Sequence, residues 1–165
     1  MKRSRGIRNN NPLNIRHSND TWEGASTRQT DKAFVKFQTM AYGYRAAWRI
    51  LQTYYKKLRE QKKYFTVENI ISRWAPPKEN NTARYIKTVL MLSGIGGQER
   101  LLPPVNVTGY SRLLALITAM TVMENGIRPE EVDGGAIYQG YKLAFPENAQ
   151  ALDEWLTGED EYADW

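Results

Sequence analysis

The sequence predicts a mainly α (α+β) fold, a helical body with a small β lobe near residues 20–37. Three observations carry this. From Tyr42 onward, apolar residues recur at three- and four-residue spacing, the period of a helix that buries one face. Residues 33–37 (Ala-Phe-Val-Lys-Phe) alternate apolar and polar, the period of a strand. The chain has 165 residues, 41% of them hydrophobic, with five Trp, ten Tyr and four Phe, enough for one buried core. The expected division is one domain over residues 1–157 and an acidic, frayed tail over 158–165.

In chain order, residues 6–31 are polar. Asn9-Asn10-Asn11-Pro12 reads as a turn, because Asn tolerates left-handed angles and the residue before Pro avoids the helical region. Trp22-Glu23-Gly24-Ala25 can open a hairpin into the strand at 33–37. A long helix follows, with Tyr44, Ala47, Trp48, Leu51, Tyr54, Tyr55 and Leu58 inward and Arg45, Arg49 and Lys56 on its other face. Thr66 caps a second helix that runs to about Trp74, with Glu68 in its first turn and Pro76-Pro77 beyond its end. Asn80 or Asn81 caps a third, with Tyr85, Ile86, Val89, Leu90 and Leu92 inward and Gly94 ending it. Ser111 is placed as the cap of the most apolar helix, which ends at Asn125-Gly126. Two amphipathic segments, near 136–144 and 148–156, close the chain.

The net charge of +5 conceals two opposed segments. Residues 1–123 hold 21 Lys/Arg against 7 Asp/Glu, and residues 124–165 hold 2 against 11. A basic body of this kind suits a polyanion: nucleic acid, anionic lipid, or a wall rich in carboxylate and phosphate. The acidic end reads as an apron packed after the helix that ends at Gly126.

Other classes are excluded. There is no Cys, hence no disulfide and no Cys-ligated zinc, and the single His rules out a His-rich metal site. His17 sits in a polar loop, a poor place for the base of a Ser-His-Asp hydrolase. No cofactor and no metal are called for. No apolar run reaches the ~20 residues of a membrane span. The basic start lacks the apolar stretch of a secretory signal, so synthesis in the cytoplasm without a signal peptide is expected.

Glu124 is the leading candidate for chemistry. It lies in the last turn of the apolar helix, where the dipole disfavours a carboxylate and Met120 and Met123 desolvate it. Both effects raise its pKa, and a carboxylic acid held protonated near neutral pH is what glycoside cleavage needs. A Glu turned to water or paired with Arg128 is the structural alternative. Asn10, Asn11 and Asn14, with Asn9, can line a groove with amides suited to sugar hydroxyl and N-acetyl groups, or can simply form turns. Trp22, Trp74 and Tyr85 can stack on sugar faces or fill core. Arg8, Arg16, Arg28 and Lys32 make the polar lobe basic.

Several segments together resemble phage virion proteins related to lysozyme, of the structural protein P5 type. They are residues 5–16 (Arg-Gly-Ile-Arg-Asn-Asn-Asn-Pro-Leu-Asn-Ile-Arg), Trp22-x-Gly24, Phe34-x-x-Phe37, Tyr42-Gly43-Tyr44-Arg45-Ala46, the block from Ile70 through Trp74-Ala75-Pro76-Pro77 to Tyr85-Ile86, and Glu124-Asn125-Gly126. A more distant similarity is to bacterial glucosaminidases and soluble lytic transglycosylases, which place a catalytic Glu near the end of an apolar helix. The segments Asn10–Arg16, Phe34-x-x-Phe37 and Thr82-x-x-Tyr85-Ile86 are similar to ones that follow the Glu in the glucosaminidases. Here the Glu helix comes after them, the order that circular permutation of a lysozyme-like domain would produce.

The resemblance implies a peptidoglycan-cleaving glycosidase, of lytic transglycosylase or muramidase/glucosaminidase type. Glu124 would be the catalytic acid, Tyr85 would lie beside it, and Asn10, Asn11, Asn14, Trp22 and Asn81 would bind glycan. Implied partners are peptidoglycan strands and phage virion components, reached through the virion or at lysis. A non-catalytic virion or wall-binding protein on the same scaffold is the second reading. A nucleic-acid-binding module, motivated by the basic body alone, is the third.

Overall fold

Five of the seven α-helices among the described residues start at a side chain that caps them. The structure, a computed structural model, describes residues 2–78 and 80–158. The short helix α1 (Arg5–Arg8), which the hydropathy pattern does not announce, is capped by Ser4. Helix α2 (Met40–Glu60) starts at Thr39, whose hydroxyl accepts from the Tyr42 N–H at 3.3 Å. Thr66 caps α3 (Val67–Trp74) through the Asn69 N–H, and Asn81 caps α4 (Thr82–Ser93) through the Arg84 N–H. Helix α5 (Tyr110–Asn125) has no side-chain cap: a 3₁₀ turn (Val107–Gly109), itself capped by Asn106, feeds directly into it. Ser111, placed as the cap by sequence, is therefore inside the first turn. Asp133 caps α6 (Gly134–Ala144), and α7 (Ala149–Thr157) closes the described chain. The expected tail over 158–165 lies outside the described residues, apart from Gly158.

α2 is the axis of the core and packs most extensively against α6, while α5 packs on α4. Trp48 is fully buried; its ring stacks on Tyr110 at 5.6 Å between centroids and meets Tyr141 edge-on at 5.0 Å. Its indole N–H donates to the Ile137 carbonyl at 3.0 Å, so the polar atom of the largest core residue is satisfied across the α2–α6 interface. Gly140 permits that approach. A Cβ there would stand 2.7 Å from the Tyr44 Cβ and 2.9 Å from two backbone atoms of α2. Ile137, Tyr141, Phe145 and Leu152 are all fully buried. The acidic end is thus part of the core rather than an apron over it. On α4 the buried stripe is Thr82, Tyr85 and Val89, with Ile86 and Leu90 flanking; Leu92 lies beyond it and is exposed.

The small β lobe near 20–37 does not form as a sheet. Among the described residues only two isolated antiparallel bridges occur, Arg16 with Phe34 and Ala25 with Phe37. Residues 33–38 divide their backbone bonds between two sides. The Val35 N–H goes to the Ile15 carbonyl and the Phe37 N–H to the Asn9 carbonyl, whereas the Lys36 carbonyl accepts from the Ser26 N–H. Side-chain amides occupy the remaining ladder positions. Asn11 donates to the Val35 carbonyl at 2.8 Å, and Gln29 bonds both the N–H and the carbonyl of Lys36 at 2.8 Å. Amides that mimic a neighbouring strand leave no edge for a real one.

Asp31 ties this lobe together. Its carboxylate accepts two bonds from Arg5 (2.6 and 2.7 Å), one from Asn9 (2.9 Å) and two from the Ala33 and Phe34 N–H groups. The Arg5 guanidinium, then the Asn9 amide, hold the carboxyl far below the usual carboxylate range. An acid whose pKa is depressed by folding contributes stability that is complete above its unfolded value, ~3.9, and fades as pH falls below it. Thermal melts of Asp31→Asn should therefore lie below wild type at pH 7, with the gap narrowing below about pH 4. A gap independent of pH would mean that charge is not what Asp31 contributes.

Candidate functional site

The C-terminal end of α5 meets the loop after α1, and a cleft opens at that junction. Glu124 is the penultimate residue of α5, which ends on Gly126 at φ 62°, its N–H bonded to the Val122 carbonyl. The Tyr85 hydroxyl, presented by α4, donates to Glu124 Oε2 at 2.9 Å. The Asn14 amide donates to Oε1 at 3.2 Å and to the Glu124 carbonyl at 3.3 Å. Tyr85 and Asn14, 39 and 110 positions away in sequence, thus converge on one carboxyl.

What brings the loop to the helix is Asn125. Its amide donates to the Pro12 carbonyl at 2.7 Å and to the Thr121 carbonyl at 2.9 Å, and its Oδ1 accepts from Ser4 at 2.6 Å. In Glu124-Asn125-Gly126, the first residue therefore supplies the ionisable group, the second clamps the loop and the third ends the helix in a left-handed turn. Asn14 reaches Glu124 from a left-handed backbone position, φ 53°, which Asn tolerates better than other residues with a Cβ.

Burial holds the Glu124 carboxyl above its ordinary pKa; the hydrogen bonds from Tyr85 and Asn14 and the charge of Arg16 act in the opposite sense and do not cancel it. Tyr85 is itself buried, and burial together with the adjacent carboxylate pushes its phenol far above the normal range. It stays a proton donor at any physiological pH. The site combines a carboxyl whose pKa burial raises with two hydrogen-bond donors, Tyr85 and Asn14, directed at its two oxygens.

The cleft beside Glu124 has a volume of about 380 Å³. Asn14, Arg16, Tyr54, Trp74 and Asn80 are among the residues that line it. Tyr54 and Trp74, which both line the cleft, meet edge-on at 6.1 Å. Two guanidinium groups lie close to the Phe34 ring, Arg5 at 4.6 Å and Arg16 at 4.9 Å from its centroid. Among the described residues that line the cleft, Glu124 is the sole carboxylate.

The other sequence-selected residues lie elsewhere. Asn10, at φ 51°, donates to the carbonyls of Phe37 and Gln38, and Asn11 is fully buried with its amide spent on Ile15 and Val35. Asn81 is the cap of α4, and its neighbour Asn80 faces the cleft instead. Trp22 is half-buried against the core and does not line the cleft. Arg128 pairs with Glu130 and Glu131, not with Glu124. Arg45 pairs with Glu23 at 2.9 Å, so the basic face of α2 is partly neutralised. Among the described residues no group of three His, Cys, Asp or Glu is placed to hold a metal ion, and no helix is long and apolar enough to cross a membrane.

No family model matches the chain. The chain is similar to Protein P5 of Pseudoalteromonas phage PM2, with 40% identity over 145 residues, a span covering 86% of this chain and 82% of that protein.

Proposed function

The chain belongs to the family of Protein P5 of Pseudoalteromonas phage PM2, and from that premise we propose that it is a phage virion protein whose cleft takes a peptidoglycan glycan strand, with Glu124 as the acid that cleaves it. Kinship supports the coarser half, a phage protein of virion type. Cleavage is the finer half, and the single observation that supports it is the half-buried Glu124 carboxyl, held between Tyr85 and Asn14 at the edge of an aromatic-walled cleft. The lysozyme-like, circularly permuted scaffold belongs to the same proposal.

In the proposed reaction the protonated Glu124 carboxyl gives its proton to the glycosidic oxygen as the bond from that oxygen to the anomeric carbon breaks. Tyr85 and Asn14 then hold the carboxylate with two hydrogen bonds. In this reading the substrate's own N-acetyl oxygen is the nucleophile that forms the new bond to the anomeric carbon, and the Glu124 carboxylate then takes the proton of the water or sugar hydroxyl that opens the resulting ring. The basic balance of residues 1–123 suits an anionic wall.

Tyr85→Phe keeps the ring and removes one donor. It should lower the rate of wall clearing roughly tenfold to a hundredfold, the worth of a hydrogen bond to a charged group. The limb of the pH profile at which Glu124 must be protonated should move to higher pH, because the carboxylate has lost a partner that favoured it. An unchanged rate and profile would remove Tyr85 from the mechanism.

The second reading is a virion protein without cleavage, which kinship alone favours, with wall binding on the same scaffold as its proposed extension. Turbidity of purified walls separates the two. Clearing by wild type and not by Glu124→Gln supports cleavage. Sedimentation of both proteins with walls, with clearing by neither, supports binding alone.

A further inference from the structure

A second concavity lies toward the C-terminal end of α2, on a different side of the helix: Tyr54 faces the Glu124 cleft and Tyr55 faces this pocket. Its volume is about 400 Å³. Four cations border it, Arg59, Lys62 and Lys63 from the end of α2 and Arg100 from a separate loop. The Leu101 N–H donates to the Phe65 carbonyl at 2.7 Å and fastens that loop, bringing the Arg100 guanidinium to 3.5 Å from the Tyr64 ring centroid.

Two features set this cluster apart from an ordinary solvated basic surface. The first is backbone. The α2 C-terminus closes with the Lys63 N–H on the Leu58 carbonyl, which places Lys62 at φ 59°. That is a glycine position, and the chain does use Gly94, Gly126 and Gly158 at the ends of α4, α5 and α7, with φ of 70°, 62° and 72°. At the end of α2 a lysine takes the strained conformation instead, which puts one more charge on the pocket rim. The second is the fate of the nearby acid. Glu99, next to Arg100, is held by both arms of Arg112 at 2.6 and 2.9 Å, so its charge is spent away from the pocket. Among the described residues, none of the four cations forms an ion pair and no acid lines the pocket. The helix dipole favours a cation such as Arg59 at this end; it explains neither the strained lysine nor Arg100 on another segment.

We propose that this pocket, bounded by Arg59, Lys62, Lys63, Tyr64 and Arg100, binds a small phosphate-bearing anion of two or more charges. Guanidinium groups on two segments suit bidentate contact with phosphate oxygens, and the two lysines supply point charges. A pocket rather than a long groove fits a compact group better than an extended strand. The site is separate from the Glu124 cleft and does not depend on the function assigned there.

Isothermal titration with inorganic pyrophosphate at fixed ionic strength tests it. Wild type should bind saturably at one site. Lys62→Gly removes the charge and relieves the backbone, so it should fold at least as well as wild type, yet bind roughly tenfold more weakly, the loss expected for one charge-assisted bond. Arg100→Gln should weaken binding similarly, and Glu124→Gln should bind as wild type does. Absence of saturable binding, or an unchanged affinity in Lys62→Gly, overturns the proposal. So does binding of a single-stranded oligonucleotide or phosphatidylglycerol vesicles that pyrophosphate fails to displace, which would assign these charges to a polymer or a membrane surface.

Discussion

Glu124→Gln should lose wall clearing by about 10²–10⁴-fold, the usual worth of a general acid, and at pH 7 should melt at a higher temperature than wild type. The two effects share one cause. Burial raises the Glu124 pKa, so the folded state keeps the proton to a higher pH than the unfolded chain does. The folded state then binds more protons, and stability falls as pH rises from the unfolded value of ~4.3 through the folded one. Gln cannot ionise and escapes that loss; its amide oxygen accepts from one of the two donors, and its NH2 meets the other, which offsets part of the gain. Below about pH 4 both forms are neutral and the stability gap should close. Loss of clearing with no gain in stability at pH 7 would mean that the carboxyl is not strained by burial. Retained clearing would remove Glu124 from the chemistry.

Gly43→Ala should destabilise the fold, against the helix-propensity expectation, and weaken the site as well. Gly43 is inside α2, where Ala normally gains ~1 kcal/mol over Gly. A Cβ at this position, however, would stand 2.1 Å from the Asn10 carbonyl oxygen and 2.8 Å from the Pro12 Cδ. Neither is the flexible end of a side chain, so the loop must lift off the helix. Overpacking of this kind costs about 1–3 kcal/mol, which lowers the Tm of a domain of this size by roughly 3–10 °C. The same loop carries Asn14 to Glu124, so activity should fall beyond what instability explains when assayed well below the melting temperature. An unchanged or higher Tm would show that the loop accommodates a methyl group.

Much of the site is legible in the sequence because the relevant signals are local. Glu124 stands out as an acid at the end of a run with hardly any polar residue, and burial and dipole are both consequences of that run. The Tyr85 segment and the Asn-rich loop are legible as candidates from resemblance. What sequence cannot do is divide the labour among similar residues. Of Asn9, Asn10, Asn11 and Asn14, only Asn14 turns its amide to Glu124, and the other three spend theirs on Asp31 and on backbone carbonyls. Asn80 and Asn81 are indistinguishable by type; one faces the cleft and the other caps a helix. Asp31 and Asn125 carry no local signal, since nothing in a polar loop or a short Glu-Asn-Gly marks a residue whose partners lie 26 or 113 positions away.

The alternation at 33–37 shows the same limit. It gives the burial of every second side chain, since Val35 and Phe37 are core residues. The strand it implies needs a partner backbone, and Asn11 and Gln29 fill that place with side chains.

The sequence alone makes every helix but the short α1 legible, and where most of them stop, because periodicity, caps and glycine ends act over short stretches of chain. It also determined that the basic and acidic charges divide at residue 124. Only the tertiary structure decided that the acidic segment enters the core, that Asn125 pins the N-terminal loop to α5, and that one carboxyl ends between a tyrosine and an asparagine drawn from distant parts of the chain. Those outcomes depend on which surfaces meet. Desolvation and hydrogen bonding, the effects that set the Glu124 pKa, exist only once they have met.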